Sequence, residues 1–325
     1  MRTTINGPYP RIGSELTQRL REELEAQYKG ESHPTIIQHL QNDVTRELVQ
    51  ELVTAGIDIP NDTLVYANDE LSWPLEEVEG ITFGGMHKTF HTNIIHKDII
   101  CTGEIKPKHC INTLHSTAVA EHYVKLELPG PYTLACHTEI GKNAPYKNIE
   151  EIAHAYAEFY HGALLSRKKE DFVQFNEPSI IAHKREHPHL EMLPELYQNL
   201  LHKVKAQTAV WTSSGHYTQQ TIDILFSLPV DIVGFDFVWD PNVETLLKKI
   251  STDKNIGFGI VDSGDTGWCG ADDKNAIVKT LRSFAGYTYL SKALVAPNAT
   301  LEHLPRAYAQ QKIKLLKQIK DEVNA

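Results

Sequence analysis

The sequence predicts an α/β protein: a single (β/α)8 barrel with a long insertion between its second and third strands. Three observations carry that expectation. Short apolar runs alternate with helix-like stretches, the pattern of βα units around a parallel sheet. Many of the runs close on polar residues, as in Tyr66-Ala67-Asn68-Asp69, Phe175-Asn176-Glu177, Thr212-Ser213-Ser214, Phe235-Asp236 and Val261-Asp262. The length of 325 residues suits one barrel, usually about 250 residues before insertions.

The elements follow in order. Residues 3–6 read as the first strand, and Ser14 as the N-cap of a helix whose apolar positions recur about every four residues up to Leu24. Residues 63–67 read as the second strand. Residues 70–121 form the insertion, far longer than the usual βα connection of about 2–6 residues, and should fold over or beside the carboxyl face of the sheet. The third strand falls at 124–128, followed by a long amphipathic helix over 148–166. Strands at 172–175, 209–213, 232–235, 256–261 and 293–296 complete the set, and an amphipathic helix over 304–323 closes the chain. No Pro/Gly/Ser-rich linker, charge block or short-period repeat divides it. One domain over 1–325 is expected.

Composition excludes several classes. A formal net charge of −10 argues against a nucleic-acid binder, which carries a basic stripe. Four cysteines and no charged-then-apolar leader point to a reduced, cytoplasmic protein. No apolar run approaches the ~20 residues needed to cross a bilayer. A small molecule is the expected ligand.

Six phrases carry a family resemblance. Gly7-Pro8-Tyr9-Pro10-Arg11-Ile12-Gly13 resembles the glycine, proline and arginine opening of cobalamin-independent methionine synthase. Met86-His87-Lys88-Thr89-Phe90-His91-Thr92-Asn93 is similar to that family's Met-Thr-Lys-Trp-Phe-Asp-Thr-Asn segment. Gly130-Pro131-Tyr132-Thr133, Gln174-Phe175-Asn176-Glu177-Pro178 and the run Leu228-Pro229-Val230-Asp231-Ile232-Val233-Gly234-Phe235-Asp236-Phe237-Val238 follow in family order. Asn298-Ala299-Thr300-Leu301-Glu302-His303-Leu304-Pro305 resembles its Ser-Cys-Ser-Leu-Leu-His-Val-Pro stretch. The phrases span nearly the whole chain and resemble the amino-terminal of the family's two barrels.

The resemblance implies a division of labour. The family's carboxy-terminal barrel holds zinc through a His-x-Cys, a Glu and a Cys, and the zinc binds homocysteine as a thiolate that accepts a methyl group from a methylfolate polyglutamate. The equivalent positions here are Trp211, Ser213, Asp236 and Ala299. Only Asp236 offers a metal donor, whereas a thiolate-selective zinc site needs about four ligands, mostly Cys and His, with one position open for catalysis. No metal or other cofactor is therefore expected in this chain. The amino-terminal barrel helps hold the polyglutamate tail of methyltetrahydrofolate, and Lys88 and Asn93 carry over to that role. Arg11 remains from the opening segment, where the family's further basic residues are missing; it is either a tail contact or a tie between the first strand and the barrel base.

Other residues bear chemistry of their own. Glu177, Asp236 and Asp262 at strand ends, with His216 just after one, could gather at the barrel mouth. Such a cluster provides acid–base catalysis or holds a hard cation; alternatively, these side chains cap helices and bind loop amides. His87, His91 and His96 lie four and five residues apart, a spacing that puts the first two on one helical face and offers a metal or anion contact, or simple solvent exposure. Cys110, His115, His122, Cys136 and His137 form no CxxC or His-x-x-x-His pair. Two functions follow. The chain is an accessory, folate-binding barrel working with a separate zinc-bearing catalytic chain, or it is an enzyme in its own right using the mouth carboxylates on a small molecule.

Overall fold

The computed structural model describes residues 1–76, 78–88, 95–108, 122–181, 189–250, 252–264, 272–288 and 290–325. The chain begins with β1 (Arg2–Thr3), α1 (Glu15–Tyr28), α2 (Pro34–Thr54), β2 (Val78–Lys88) and β3 (Ile95–Pro107). It continues through β4 (Leu126–Pro129), α3 (Pro131–Cys136), β5 (Thr138–Ile140), α4 (Ile149–Leu164), β6 (Phe172–Asn176) and α5 (Leu193–Leu200). Then come β7 (Gln207–Trp211), α6 (Gln219–Ser227), β8 (Ile232–Asp236) and α7 (Val243–Leu247). The last elements are β9 (Asn255–Val261), α8 (Lys274–Ser283), β10 (Leu294–Pro297) and α9 (Arg306–Asn324).

Local chemistry sets the helix starts. Ser14 caps α1 in a reciprocal box, its hydroxyl accepting the Thr17 N–H at 3.2 Å while Thr17 Oγ1 accepts the Ser14 N–H at 3.0 Å. Thr218 and Thr221 repeat the device at α6, and the Asn148 side chain caps α4 by accepting the Glu151 N–H at 2.9 Å. Each such cap satisfies one of the donors that a helix start leaves open.

Contacts divide the chain into two compact units. The first comprises Met1–Ala67, His115–Lys125 and Phe258–Ala325. Here β1 pairs in parallel with β10, Arg2 opposite Leu294 and Thr3 opposite Val295, and β10 neighbours β9. Parallel bridges Thr4–Ile59 and Asn61–Lys125 extend the pairing. Arg306 at the start of α9 is clasped by Glu47 and Glu51 of α2 at 2.7 and 2.6 Å, and the Tyr9 hydroxyl donates to Glu51 at 2.7 Å.

The strand expected at 63–67 is a turn. Asn61 Oδ1 accepts the Thr63 N–H at 3.0 Å and Asp62 Oδ1 accepts the Leu64 N–H at 3.2 Å. These side chains consume the donors that a strand would use. Thr63 and Leu64 take φ of +59° and +50°, a region that a β-branched residue rarely enters. Pairing moves upstream to Ile59 and Asn61.

The second unit comprises Asn68–Leu114 and Leu126–Gly257. Its strands β4, β6, β7 and β8 are parallel in that order, with Leu126 opposite Val173, Phe172 opposite Gln207 and Ala209 opposite Ile232. Phe175 and Phe235 on these strands and Tyr160 and Tyr197 on α4 and α5 are fully buried. Within the stretch expected as an insertion, β2 and β3 form an antiparallel ribbon, with β5 parallel to β3 on its other side. His87 therefore lies on a strand, not a helix, directly across from His96. The β-branched and aromatic residues Ile81, Thr82, Phe83, Ile99 and Ile100 favour the extended form over the helical spacing of the histidines. His91 lies outside the described residues. Among the described residues, no helix is long and apolar enough to cross a membrane.

Candidate functional site

Parallel strands β6, β7 and β8 bring their carboxyl ends together, and each end delivers a buried side chain. Glu177 follows β6 and is 0% exposed. Its Oε1 accepts the Tyr132 N–H at 3.1 Å and the Tyr197 hydroxyl at 2.9 Å, and its Oε2 accepts the Thr133 N–H at 2.7 Å. Those amides open α3, whose N-cap, Gly130, has no side chain to offer. A Cβ at Gly130 would lie 2.0 Å from Glu177 Cδ, so glycine leaves the carboxylate room to cap the helix from a neighbouring strand. Burial pushes the Glu177 pKa up to about 7, against the hydrogen bonds, which pull it down. Burial likewise pushes the thiol of Cys136, at the end of α3, up to about 12.

Asp236 ends β8 and is also fully buried. Oδ2 accepts the Ser214 N–H at 3.0 Å; Oδ1 accepts the Val238 and Trp239 N–H groups at 3.0 and 2.8 Å. Its own N–H donates to the Tyr217 hydroxyl oxygen at 2.8 Å. Glu177 and Asp236 thus bind different sets of donors: Glu177 caps α3 and ties it to α5, and Asp236 holds the loops that follow β7 and β8. Between them Trp211 ends β7. Its indole lies over two glycines: a Cβ on Gly234 would come within 2.2 Å of ring atoms, and one on Gly257 within 2.5 Å. Trp211 is 2% exposed.

The remaining expected residues are placed as follows. The His216 side chain is 70% exposed, with Nδ1 3.7 Å from Asp240 Oδ2. Asp262 belongs to the first unit; its Oδ1 accepts the Gly264 N–H at 2.8 Å and its N–H donates to Asp272 at 3.0 Å. Arg11, also in the first unit, pairs with Glu302 at 2.7 Å and donates to the Ala67 carbonyl at 2.8 Å. Lys88 is exposed at the end of β2, opposite Ile95. Asn93, Cys110 and His115 lie outside the described residues.

One feature escaped the sequence. In the first unit a cleft of about 830 Å³ is lined by Arg11, Ser14, Glu51, Glu302, His303 and Arg306, among others. Arg306 and Glu51 sit on different helices some 250 residues apart, so no motif joins them. Both arginines of the cleft are already paired with carboxylates.

The family model described as cobalamin-independent synthase, N-terminal domain, matches residues 95–287, more than half of the chain. The chain belongs to this family. Methionine synthases of Saccharolobus islandicus are 23% identical to it over 317 residues, 96% of this chain and 91% of theirs. That of Sulfurisphaera tokodaii is 24% identical over 318 residues, 96% and 89%. The B12-independent methionine synthase from Shewanella sp. W3-18-1, in complex with selenomethionine, superposes with a TM-score of 0.72 at 16% identity, covering 99% of this chain and 97% of that one. A putative vitamin-B12-independent methionine synthase from Listeria monocytogenes gives 0.73 at 16% identity, with 98% and 96% covered. The likeness to these structures is one of fold.

The zinc implied by the family's catalytic barrel does not suit the residues found here. At the equivalent positions Trp211 fills its space with carbon, the Asp236 oxygens hold backbone amides, and Ser213 and Ala299 offer no thiolate. Among the described residues no three His, Cys, Asp or Glu side chains group so as to hold a metal ion.

Proposed function

We propose that this chain is an accessory barrel of the cobalamin-independent methionine synthase family, acting in the cytoplasm beside a separate zinc-bearing catalytic chain and binding methyltetrahydrofolate through its polyglutamate tail. The observation that carries this reading is the Trp211 indole seated on Gly234 and Gly257, which puts an apolar ring where the catalytic barrel needs its first zinc ligand. In this reading the parallel strands close into an eight-stranded (β/α)8 barrel, and Lys88 and Asn93 meet the tail carboxylates. Arg11 joins them only by exchanging Glu302 for the ligand.

Methyl transfer from methyltetrahydrofolate triglutamate to homocysteine tests the proposal, with this chain alone, a zinc-bearing barrel alone, and both together. Stimulation only in the mixture is expected, with no zinc in this chain at the family position. Turnover by the isolated chain would overturn the accessory role. It would favour an enzyme working through Glu177, His216, Asp236 and Asp262, a reading now weakened because Glu177, Asp236 and Asp262 all bind backbone amides.

A further inference from the structure

The β2–β3 ribbon and the end of α3 hold a row of three imidazoles. His87 and His96 are direct cross-strand partners, with ring centroids 6.0 Å apart. His137, the C-cap residue of α3, meets His96 edge-on with centroids 5.4 Å apart and planes at 81°. His96 is 2% exposed. Its Nδ1 lies 2.9 Å from the Lys97 carbonyl oxygen, an atom that only accepts, so the ring proton resides on Nδ1. In the neutral ring Nε2 then carries the lone pair, and among the described residues it is buried with no hydrogen-bond partner. A buried acceptor without a donor is costly, and edge-on ring packing does not relieve it.

This is the form in which a histidine ligates a metal, with the far N–H anchored on a backbone carbonyl and the near nitrogen free. The spacing agrees. With metal–nitrogen bonds of about 2.0–2.1 Å, two imidazoles on one tetrahedral ion have centroids roughly 5–6 Å apart. We propose that His96 and His137 form a two-imidazole site for a divalent transition metal of the zinc class, with water completing the shell. Imidazole nitrogen selects zinc, copper or nickel over magnesium or calcium. Among the described residues no group of three His, Cys, Asp or Glu could hold the ion, so the ion is exchangeable and keeps open positions. His87 stays at the rim, its Nδ1 3.8 Å from Asp98. The site uses none of the residues assigned to the proposed function and stands independently of it.

Titrating the full chain with Zn²⁺ alone near neutral pH, by calorimetry, tests the site. Wild type should show a saturable equivalent, weakened about tenfold or more in His96→Gln and in His137→Gln. His39→Gln, on the exposed face of α2, should leave it unchanged. Co²⁺ in place of Zn²⁺ should give visible absorption bands that His137→Gln removes. Circular dichroism checks that the variants fold, and the half-buried His137→Gln carries the test should His96→Gln not fold. Absence of a saturable site in wild type, or an affinity unaltered in folded His137→Gln, would overturn the proposal.

Discussion

A carboxyl with a pKa near 7 inside a folded chain makes stability depend on pH in a stated direction. Glu177 is raised from 4.5 to about 7 by burial. Between those values the folded state holds a proton that the unfolded state has released, so stability is full below about pH 4.5 and falls until about pH 7. The shift corresponds to about 3 kcal/mol. Glu177→Gln cannot ionise, so its stability should be nearly flat over that window, measured by urea unfolding at a series of pH values. A wild-type curve without the fall would refute the assignment. Trp211 makes a second residue-scale case. Gly234→Ala should cost about 1–3 kcal/mol through overpacking, and Trp211→Leu in the same chain should recover part of it, a coupling that a double-mutant cycle reads. The strand-end positions of Glu177 and Asp236 were legible because an apolar run stopping at an acid marks a strand end. Their partners were not: Tyr132 and Thr133 lie more than forty residues from Glu177, and nothing local in the sequence announces that an α3 without a capping side chain borrows one.

Caps and amphipathic stripes were the most legible elements. Ser14, the α4 stretch and α9 stand close to where their patterns put them, because capping and helical periodicity act within a few residues. Ser14→Ala should cost about 1 kcal/mol of stability. The 63–67 segment misled because Asn61 and Asp62 stand just before it, and side chains that bind backbone N–H groups two residues on outweighed its strand propensity. The β2–β3 ribbon was hidden by its own length, since its strands pair with each other and show no βα rhythm. Its outer end carries Lys88, which gives the folate reading a direct check. An exposed Lys–carboxylate pair contributes about 0.2–1 kcal/mol, so Lys88→Ala should weaken triglutamate binding by up to about fivefold. A monoglutamate, with less tail to hold, should be barely affected. Equal losses for the two ligands in calorimetric titrations at low salt would remove the lysine from the tail.

At the scale of the molecule, the order of the family phrases along the sequence signalled the fold, while the division of the chain into two units was invisible, because contacts and not chain neighbours define it. The chain passes from one unit to the other after Ala67, Leu114, Lys125 and Gly257. Independent domains are normally bounded by exposed linkers that few contacts cross. Here the last boundary falls inside β9, whose residues from Ile256 to Val261 are all buried. Because β9 carries residues of both units, the chain is expected to unfold in one cooperative step, with calorimetric and van't Hoff enthalpies equal. Two variants already named sharpen the test, since Ser14→Ala alters the first unit and Gly234→Ala the second. For a chain of this length each kcal/mol moves the midpoint by about 1–2 °C. Both variants should shift the same single transition, each in proportion to its loss. Two resolved transitions, one moved by Ser14→Ala and the other by Gly234→Ala, would show instead that the units melt separately and that β9 frays at Gly257.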